Sequence, residues 1–264
     1  MTYFIQAHYL YPMRTIDLNC DLGEGFGNYT AGPDALLLKY ISSCSIACGY
    51  HAGDPLIIQS TIKEALKRNI SIGAHPSYPD RQGFGRRSMR LNAKEHFAFV
   101  LYQVSAIKGM VESQGGRLKH VKPHGALYND AALDEEITRN IYEAIASIDG
   151  GLCVYGLSNT AHEHVANKLG IPFISEAFAD RKYHSDGTLL ARSNSAAILE
   201  NAEEVIQQVM SLIHHQEVVS IEGQKINIPV KTICFHGDHP QTLPILKEVH
   251  KTLLEANIEI KLSI

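Results

Sequence analysis

Polar and apolar side chains alternate in the segment 15–22, which runs directly into a glycine-rich turn. If the segment is a strand, Asp17, Asn19 and Asp21 share one face, because successive side chains point to opposite sides. Carboxylates are costly to bury unless they are paired, hydrogen-bonded or metal-bound. Together with Glu24 in the turn, this face predicts an acidic site, although an edge strand with one solvated face would show the same alternation.

Ionisable side chains also follow further apolar segments that resemble strands. They are His51 and Asp54 after 45–48, His75 after 70–74, Lys122 and His124 after 118–121, Glu176, Asp180 and Arg181 after 173–175, and His236, Asp238 and His239 after 233–235. Parallel α/β folds place their sites at the carboxyl ends of the strands. We therefore expect these side chains to meet at one end of a sheet or barrel.

Predicted helices alternate with these strands, which favours a parallel sheet. The helices are expected at 33–40, 54–69, 92–115, 133–147, 159–169, 195–215 and 242–256, with a β-hairpin at 218–228 and a short strand at 258–262. Asp54 before Pro55, and Asn92 with Glu95, are typical of helix starts. About seven strand–helix units with a polar inner face predict a distorted (β/α) barrel rather than an open doubly wound sheet.

Composition limits the class of protein. The 264 residues, 45% of them apolar, predict one domain over 14–264, with 1–13 as a tail or an over-extended start. A net charge of −4 does not indicate the basic surface that nucleic-acid binding needs, and no apolar run has membrane-spanning length. Five cysteines form no evident disulfide framework, so we expect buried, reduced thiols in a cytoplasmic chain.

Seven motifs, in a consistent order from Ile16 to the C-terminus, closely resemble the LamB/YcsF family. They are DLNCDLGEGFG at 17–27, ACGYHAGDP at 47–55, GAHPSYPD at 73–80, QGFGRR at 82–87, VKPHGALY at 121–128, EAFADR at 176–181 and HGD at 236–238. Ser45, Ser77 and the segment 193–195 depart from residues that are common in the family. None of these departures removes an ionisable group.

The resemblance implies a seven-stranded β/α barrel related to the glycoside hydrolase/deacetylase superfamily. It also implies ATP-dependent opening of 5-oxoproline to L-glutamate, carried out with subunits B and C of a 5-oxoprolinase. No Gly-x-x-x-x-Gly-Lys-Ser/Thr loop occurs in the chain, so we expect ATP to bind chiefly on the partners and this chain to be inactive alone. The loop 82–87, with its unpaired arginines, suits either a phosphate or a docked partner.

Opening a lactam requires a base, a proton for the departing amine and stabilisation of the oxyanion. The candidate catalytic residues are Asp17, Asp21, Glu24, His51, His75 and His124. The candidates for binding substrate or phosphate are Asn19, Lys122, Glu176, Asp180, Arg181, Arg192, His236, Asp238, Arg86 and Arg87. Arginine suits carboxylates and phosphates because its planar group binds such anions at two points.

Two other functions fit the same residues. The first is a stand-alone metal-dependent deacetylase or amidohydrolase in which Asp17 or Asp21 joins His51 and His75, although we assign no metal ligand from spacing alone. The second is a non-catalytic regulatory subunit. His162 and His164 lie two positions apart on a predicted helix, and we expect them at the surface.

Overall fold

Parallel strands close into a barrel in the computed structural model, which describes residues 15–192 and 194–262. In chain order the strands are β1 (Thr15–Leu22), β2 (Ser43–Ala47), β3 (Ser71–His75), β4 (Leu118–Val121), β5 (Cys153–Leu157), β6 (Phe173–Phe178), β7 (Glu217–Val219), β8 (Lys225–Asn227), β9 (Thr232–His236) and β10 (Glu259–Ile260). The barrel runs β1-β2-β3-β4-β5-β6-β9 and closes where β9 pairs with β1. This confirms the predicted seven-stranded β/α barrel; the predicted tail over 1–13 lies outside the described residues.

The remaining strands lie outside the closed ring. β7 and β8 form the antiparallel hairpin predicted near 218–228, and β10 pairs with the first residues of β1. The sequence pattern does not predict β5, because its carboxyl end at Leu157 carries no ionisable side chain.

Eight helices among the described residues surround the barrel. They are α1 (Asp34–Leu37), α2 (Pro55–Lys67), α3 (Ala93–Glu112), α4 (Gly125–Leu133), α5 (Glu135–Ile148), α6 (Ala161–Leu169), α7 (Ala202–His215) and α8 (Thr242–Glu255). Both predicted caps are present: Asp54 accepts hydrogen bonds from the first turn of α2, and Asn92 and Glu95 form a reciprocal capping box.

Two helix predictions are wrong in extent, and one helix was not predicted. α1 is shorter than 33–40, and α7 begins at Ala202 rather than 195, where the Asn201 side chain accepts hydrogen bonds from two backbone N–H groups of the first turn. The pattern also missed α4, which begins directly after His124. α4 places that histidine at the start of a helix instead of in an open loop.

The outer faces of the strands pack against the helices and form the apolar core. On β1, Leu18, Cys20 and Leu22 are completely buried on this face, while Asp17, Asn19 and Asp21 face the barrel interior. All five cysteines are buried and free, as predicted. The described helices include none with the length and apolar character needed to cross a membrane.

The surface prediction for the two histidines of α6 is half wrong. His164 is exposed and pairs with Glu135, but His162 is completely buried. The His162 ring donates from Nε2 to the Tyr128 carbonyl at 3.0 Å and accepts from the Tyr142 hydroxyl at 2.8 Å. Gly156 on β5 makes this possible, since a Cβ there would lie only 2.6 Å from the His162 Cβ.

Candidate active site

The polar face of β1 divides the barrel interior into layers. Asp17 lies deepest and Asp21 lies at the mouth, about 13 Å away along the strand at 3.3 Å per residue. Four hydroxyl groups donate to the Asp17 carboxylate. They are those of Ser42 (2.6 Å), Ser43 (2.6 Å), Thr232 (2.5 Å) and Tyr155 (3.4 Å). Burial raises the pKa of Asp17, and these hydrogen bonds oppose the rise without reversing it. Asp17 is therefore separated from the other candidate bases.

Lys122 occupies the middle layer, where its Nζ contacts four groups. These are Asp21 Oδ1 (2.6 Å), Asn19 Oδ1 (2.9 Å), Glu176 Oε1 (3.1 Å) and Cys234 Sγ (3.1 Å). Burial favours a neutral amine, but Asp21, Cys234 and Glu176 outweigh it and raise the pKa of Lys122 well above its usual value. Burial raises the pKa of Glu176. The lysine is thus a fixed cation directly beneath the mouth.

Three histidines and two acids meet at the mouth, and all five are buried. Glu24 Oε1 lies 3.0 Å from His51 Nε2 and 3.5 Å from His124 Nδ1. His75 Nε2 lies 2.9 Å from His124 Nδ1 and 3.3 Å from Asp21 Oδ2. The rings of His51 and His124 stack at 3.7 Å with an angle of 3° between their planes. The structure therefore brings five of the six predicted catalytic residues together and leaves Asp17 below them.

The acids of this mouth cluster differ in charge. Burial opposes ionisation of Asp21, but His75 and Lys122 overcome it and hold its pKa well below the usual range. Burial raises the pKa of Glu24 well above its usual value, and the negative charge of Asp21 adds to the rise. Burial likewise lowers the pKa of His51 and of His124 far below that of a free imidazole. Two neighbouring acids with pKa values pushed apart are typical of acid–base sites.

A cavity of about 440 Å³ opens beside the mouth cluster, and cationic side chains line much of it. These are Lys122, Arg86, Arg181 and Arg192. Burial and the neighbouring Arg192 lower the pKa of Arg181 to about 10. Arg181 Nε and Arg192 Nη2 are buried and have no hydrogen-bond partner among the described residues. The wall thus offers N–H donors to an anion.

Among the other predicted binding residues, Asp180, His236 and Asp238 hold this wall in place. His236 lines the cavity, and both Asp180 carboxylate oxygens lie 2.9 Å from its Nδ1. Arg86 pairs with Asp238 at 2.5 Å at the cavity edge. Arg87 points elsewhere and pairs with Asp80, with 64% of its side chain exposed. The expectation of two unpaired arginines is therefore wrong, because the neighbouring carboxylates neutralise both.

One interior residue near Lys122 was not predicted as part of the site. Cys234 was expected only as a buried thiol, but its Sγ contacts the Lys122 ammonium. The alternation along β9 could have indicated this position. Thr232, Cys234 and His236 alternate with apolar residues, so the three share the inner face of the barrel.

Comparison with known proteins agrees with the fold and the motifs. The profile of the LamB/YcsF family matches residues 16–263. The chain belongs to this family. It is 46% identical over 249 residues to the A subunit of 5-oxoprolinase from Bacillus cereus (strain AH187), covering 94% of this chain and 98% of that relative. The corresponding A subunit from Bacillus mycoides (strain KBAB4) is 45% identical over the same shares.

One solved structure shares nearly the whole architecture. The lactam utilization protein from Thermus thermophilus superposes with a TM-score of 0.89 at 34% sequence identity. The match covers 94% of this chain and 100% of that protein. This chain and the Thermus thermophilus protein therefore share the same fold.

Proposed function

We propose that this chain is a subunit of an ATP-dependent 5-oxoprolinase, and that it provides the site where the lactam of 5-oxoproline is opened to L-glutamate. Relatives that match nearly their whole length at 46% identity are named as the A subunit of that enzyme. The observation that carries the proposal is the cavity, whose cationic wall lies beside His124 of the buried acid–histidine cluster. This arrangement suits a small molecule with one carboxylate and one amide.

The cationic wall supports binding of the substrate carboxylate. Arg181 and Arg192 both line the cavity and present buried N–H groups that lack acceptors among the described residues. A bound carboxylate would supply those acceptors, and charge-assisted hydrogen bonds of this kind are stronger than neutral ones. Phe178 provides an apolar surface for the ring methylene groups. The lactam carbonyl would then face the mouth cluster.

Ring opening needs one water molecule and a transferred proton. The water oxygen adds to the carbonyl carbon, the C–N bond breaks, and the nitrogen leaves as an amine after gaining a proton. We assign removal of the water proton to His236, which lines the cavity: burial lowers its pKa and Asp180 holds its Nδ1, so Nε2 of the neutral ring can accept the proton. The His236 ring then gives this proton to the nitrogen as the C–N bond breaks. The Lys122 ammonium stabilises the negative charge on the oxygen.

The proposal includes ATP and the partner subunits because the lactam ring is unstrained. Its hydrolysis alone gains little free energy. The sequence contains no phosphate-binding loop of the Gly-x-x-x-x-Gly-Lys-Ser/Thr kind. We therefore assign nucleotide binding chiefly to subunits B and C, and lactam hydrolysis to this chain. The Arg86 side chain at the cavity edge is the candidate contact for a phosphorylated intermediate.

The test measures glutamate formed from 5-oxoproline by this chain alone, with ATP, and with ATP plus both partner subunits. We expect turnover only in the complete mixture. Arg192→Gln should raise KM for 5-oxoproline, since it removes a carboxylate donor, whereas the exposed His164→Gln should not. ATP-dependent turnover by the isolated chain would overturn the division of labour.

The same samples separate the two alternative functions. Release of acetate from N-acetylated amines by the chain alone would favour a stand-alone deacetylase. A complex that assembles with Glu24→Gln and retains full turnover would favour a regulatory subunit. Failure of the complete mixture to form glutamate would overturn the proposed substrate.

A further inference from the structure

Two imidazole nitrogens face each other at the barrel mouth, and neither ring, when neutral, has a hydrogen atom to place between them. His75 Nδ1 lies 2.7 Å from the Lys122 carbonyl, and His124 Nε2 lies 2.8 Å from the Phe84 carbonyl. A carbonyl oxygen only accepts, so these two nitrogens carry the ring hydrogens. In neutral rings the opposite nitrogens, His75 Nε2 and His124 Nδ1, therefore carry lone pairs. These nitrogens are only 2.9 Å apart.

Carboxylate oxygens add to this group of acceptors. Glu24 Oε1 lies 3.5 Å from His124 Nδ1, and Asp21 Oδ2 lies 3.3 Å from His75 Nε2. Four atoms that can each offer a lone pair thus converge in a buried space. Lone pairs repel at these distances, so the arrangement requires a positive species among them. The backbone carbonyls prevent either ring from supplying a hydrogen by changing tautomer.

We infer that a divalent transition-metal ion binds here, with Glu24 Oε1, His75 Nε2 and His124 Nδ1 as its ligands. Bonds of about 2.1 Å in a tetrahedral site place ligand atoms roughly 3.4 Å apart. The 3.5 Å between Glu24 Oε1 and His124 Nδ1 matches that spacing, and the 2.9 Å between His75 Nε2 and His124 Nδ1 is somewhat shorter. Carbonyl oxygens that fix the far nitrogens of both rings are the usual support of ligating histidines. Imidazole and carboxylate together suit zinc, cobalt and related ions.

His51 has a different role from the other two histidines. One ligand atom from each of Glu24, His51, His75 and His124 lies within 4.8 Å of the others, yet the His51 ring stacks almost parallel on His124. A ligated ion lies near the plane of its imidazole, and two stacked, nearly parallel rings with centroids 3.7 Å apart cannot both hold it in their planes. We therefore assign His51 to positioning: its Nε2, 3.0 Å from Glu24 Oε1, orients that carboxylate.

Metal binding rests on this geometry alone, whereas its chemical use rests on the proposed function. A bound ion with an open position polarises a carbonyl oxygen or lowers the pKa of a bound water. Both effects are what opening a lactam requires. The rival occupant is a proton shared between the two rings, which would satisfy the same lone pairs without any affinity for metal.

The experiment uses the purified full chain after treatment with a chelator. Zn²⁺ is titrated by calorimetry, and Co²⁺ is added separately to record its visible absorption spectrum. We expect one ion per chain, bound with a Co²⁺ spectrum typical of a low-coordinate site. His75→Gln and His124→Gln should each weaken Zn²⁺ binding by about 100-fold or more. His51→Gln should weaken it by about 10–100-fold, as expected of a residue that supports a ligand.

Two controls make the outcome decisive. His164→Gln removes an exposed histidine on α6 and should leave Zn²⁺ affinity and the Co²⁺ spectrum unchanged. If a histidine variant does not fold, Glu24→Gln, which keeps the shape of the side chain, tests the same site in its place. Absence of stoichiometric binding, or equal binding by wild type and the His75 and His124 variants, overturns the inference in favour of the shared proton. Glutamate formation by the complete complex is measured in parallel, so failure of the metal site and failure of the lactam reaction are distinguishable.

Discussion

Asp17 and Glu24 are both carboxylic acids buried inside one barrel, yet the groups around them differ. Asp17 receives hydrogen bonds from four hydroxyls. Glu24 faces the ring nitrogens of His51 and His124. The difference teaches that burial of an acid does not define its role. The Asp17 carboxylate already has its hydrogen-bond donors and stabilises the barrel. The mouth retains acceptor atoms without donors, which suit it to binding and chemistry.

The largest expected effect is a loss of turnover when Glu24 at the mouth is replaced. Glu24→Gln keeps the volume of the side chain but removes a carboxylate ligand of the inferred metal site, so turnover of the assembled complex should fall by roughly 10²-fold or more, since a bound ion would supply several kcal/mol of charge stabilisation. The free energy of unfolding should change by less than about 1 kcal/mol, since no buried charge is stranded. Glutamate formation and urea unfolding give the two values. Full turnover in this variant would remove Glu24 from the chemistry.

The matching change in the deep layer should act on stability. Asp17→Ala leaves buried hydroxyl donors without acceptors, at a cost of about 1–3 kcal/mol for each unsatisfied group. We expect a loss of roughly 3 kcal/mol in the free energy of unfolding, and a smaller loss for Asp17→Asn, which keeps an acceptor oxygen. Urea unfolding measures both. An Asp17→Asn variant that folds normally but has lost all turnover would instead support the catalytic role predicted from the sequence.

Another interior residue, His120, should impose a pH dependence; it is completely buried and its ring stacks on Tyr155. Burial, with the charge of Lys122 adding to it, lowers the pKa of His120 to about 3. The unfolded chain binds this proton near pH 6.5 and the folded chain does not, so stability is complete above pH 6.5 and declines as pH falls toward 3. The expected contribution is about 1.4 kcal/mol per pH unit in that window.

The measurement compares urea unfolding at pH 6.5, 5.5 and 4.5 for wild type, His120→Gln and the exposed control His164→Gln. The His120 variant should lose stability less steeply than wild type as the pH falls, and the control should follow wild type. Equal slopes for all three proteins would show that His120 is protonated in the folded barrel.

The smallest contrast concerns two neighbouring arginines. Arg86→Ala removes a cation from the cavity wall and should raise KM for 5-oxoproline several-fold or impair assembly with the partners. Arg87→Ala removes an exposed side chain that pairs with Asp80 away from the cavity, and should do neither. Each should change the free energy of unfolding by less than about 1 kcal/mol, as exposed ion pairs do. Steady-state kinetics and a pull-down with subunits B and C separate the two readouts.

The pattern of residues predicts which end of the barrel carries the site. Asp21, Lys122 and His75 come from three strands, and the rule that sites lie at the carboxyl ends of strands is enough to bring them together. The helix caps were equally readable, because Asp54 and Asn92 act through their own first turns. Both kinds of prediction depend on local chemistry or on a general rule of topology.

How deep each residue lies in the barrel, and which residues it contacts, were not predictable in the same way. Asp17 and Asp21 share a face, and only the arrangement of neighbouring strands places hydroxyls around one and imidazoles around the other. His162 is buried because Gly156, six residues earlier, leaves room for its ring. Arg86 and Arg87 are adjacent, yet their partners Asp238 and Asp80 lie in unrelated parts of the chain. Each of these facts depends on a contact that no short pattern encodes.

The closure of β1 on β9 has a consequence for the order in which the protein is made. Thr232 donates to Asp17 across 215 positions of the chain. At roughly 5–20 residues per second of synthesis, Asp17 emerges on the order of ten to forty seconds before that hydroxyl exists. Throughout this delay the acidic face of β1 is hydrated, and inward-pointing charges discourage an unpaired strand from joining another chain. The carboxylates that later complete the interior thus first protect the nascent barrel from aggregation.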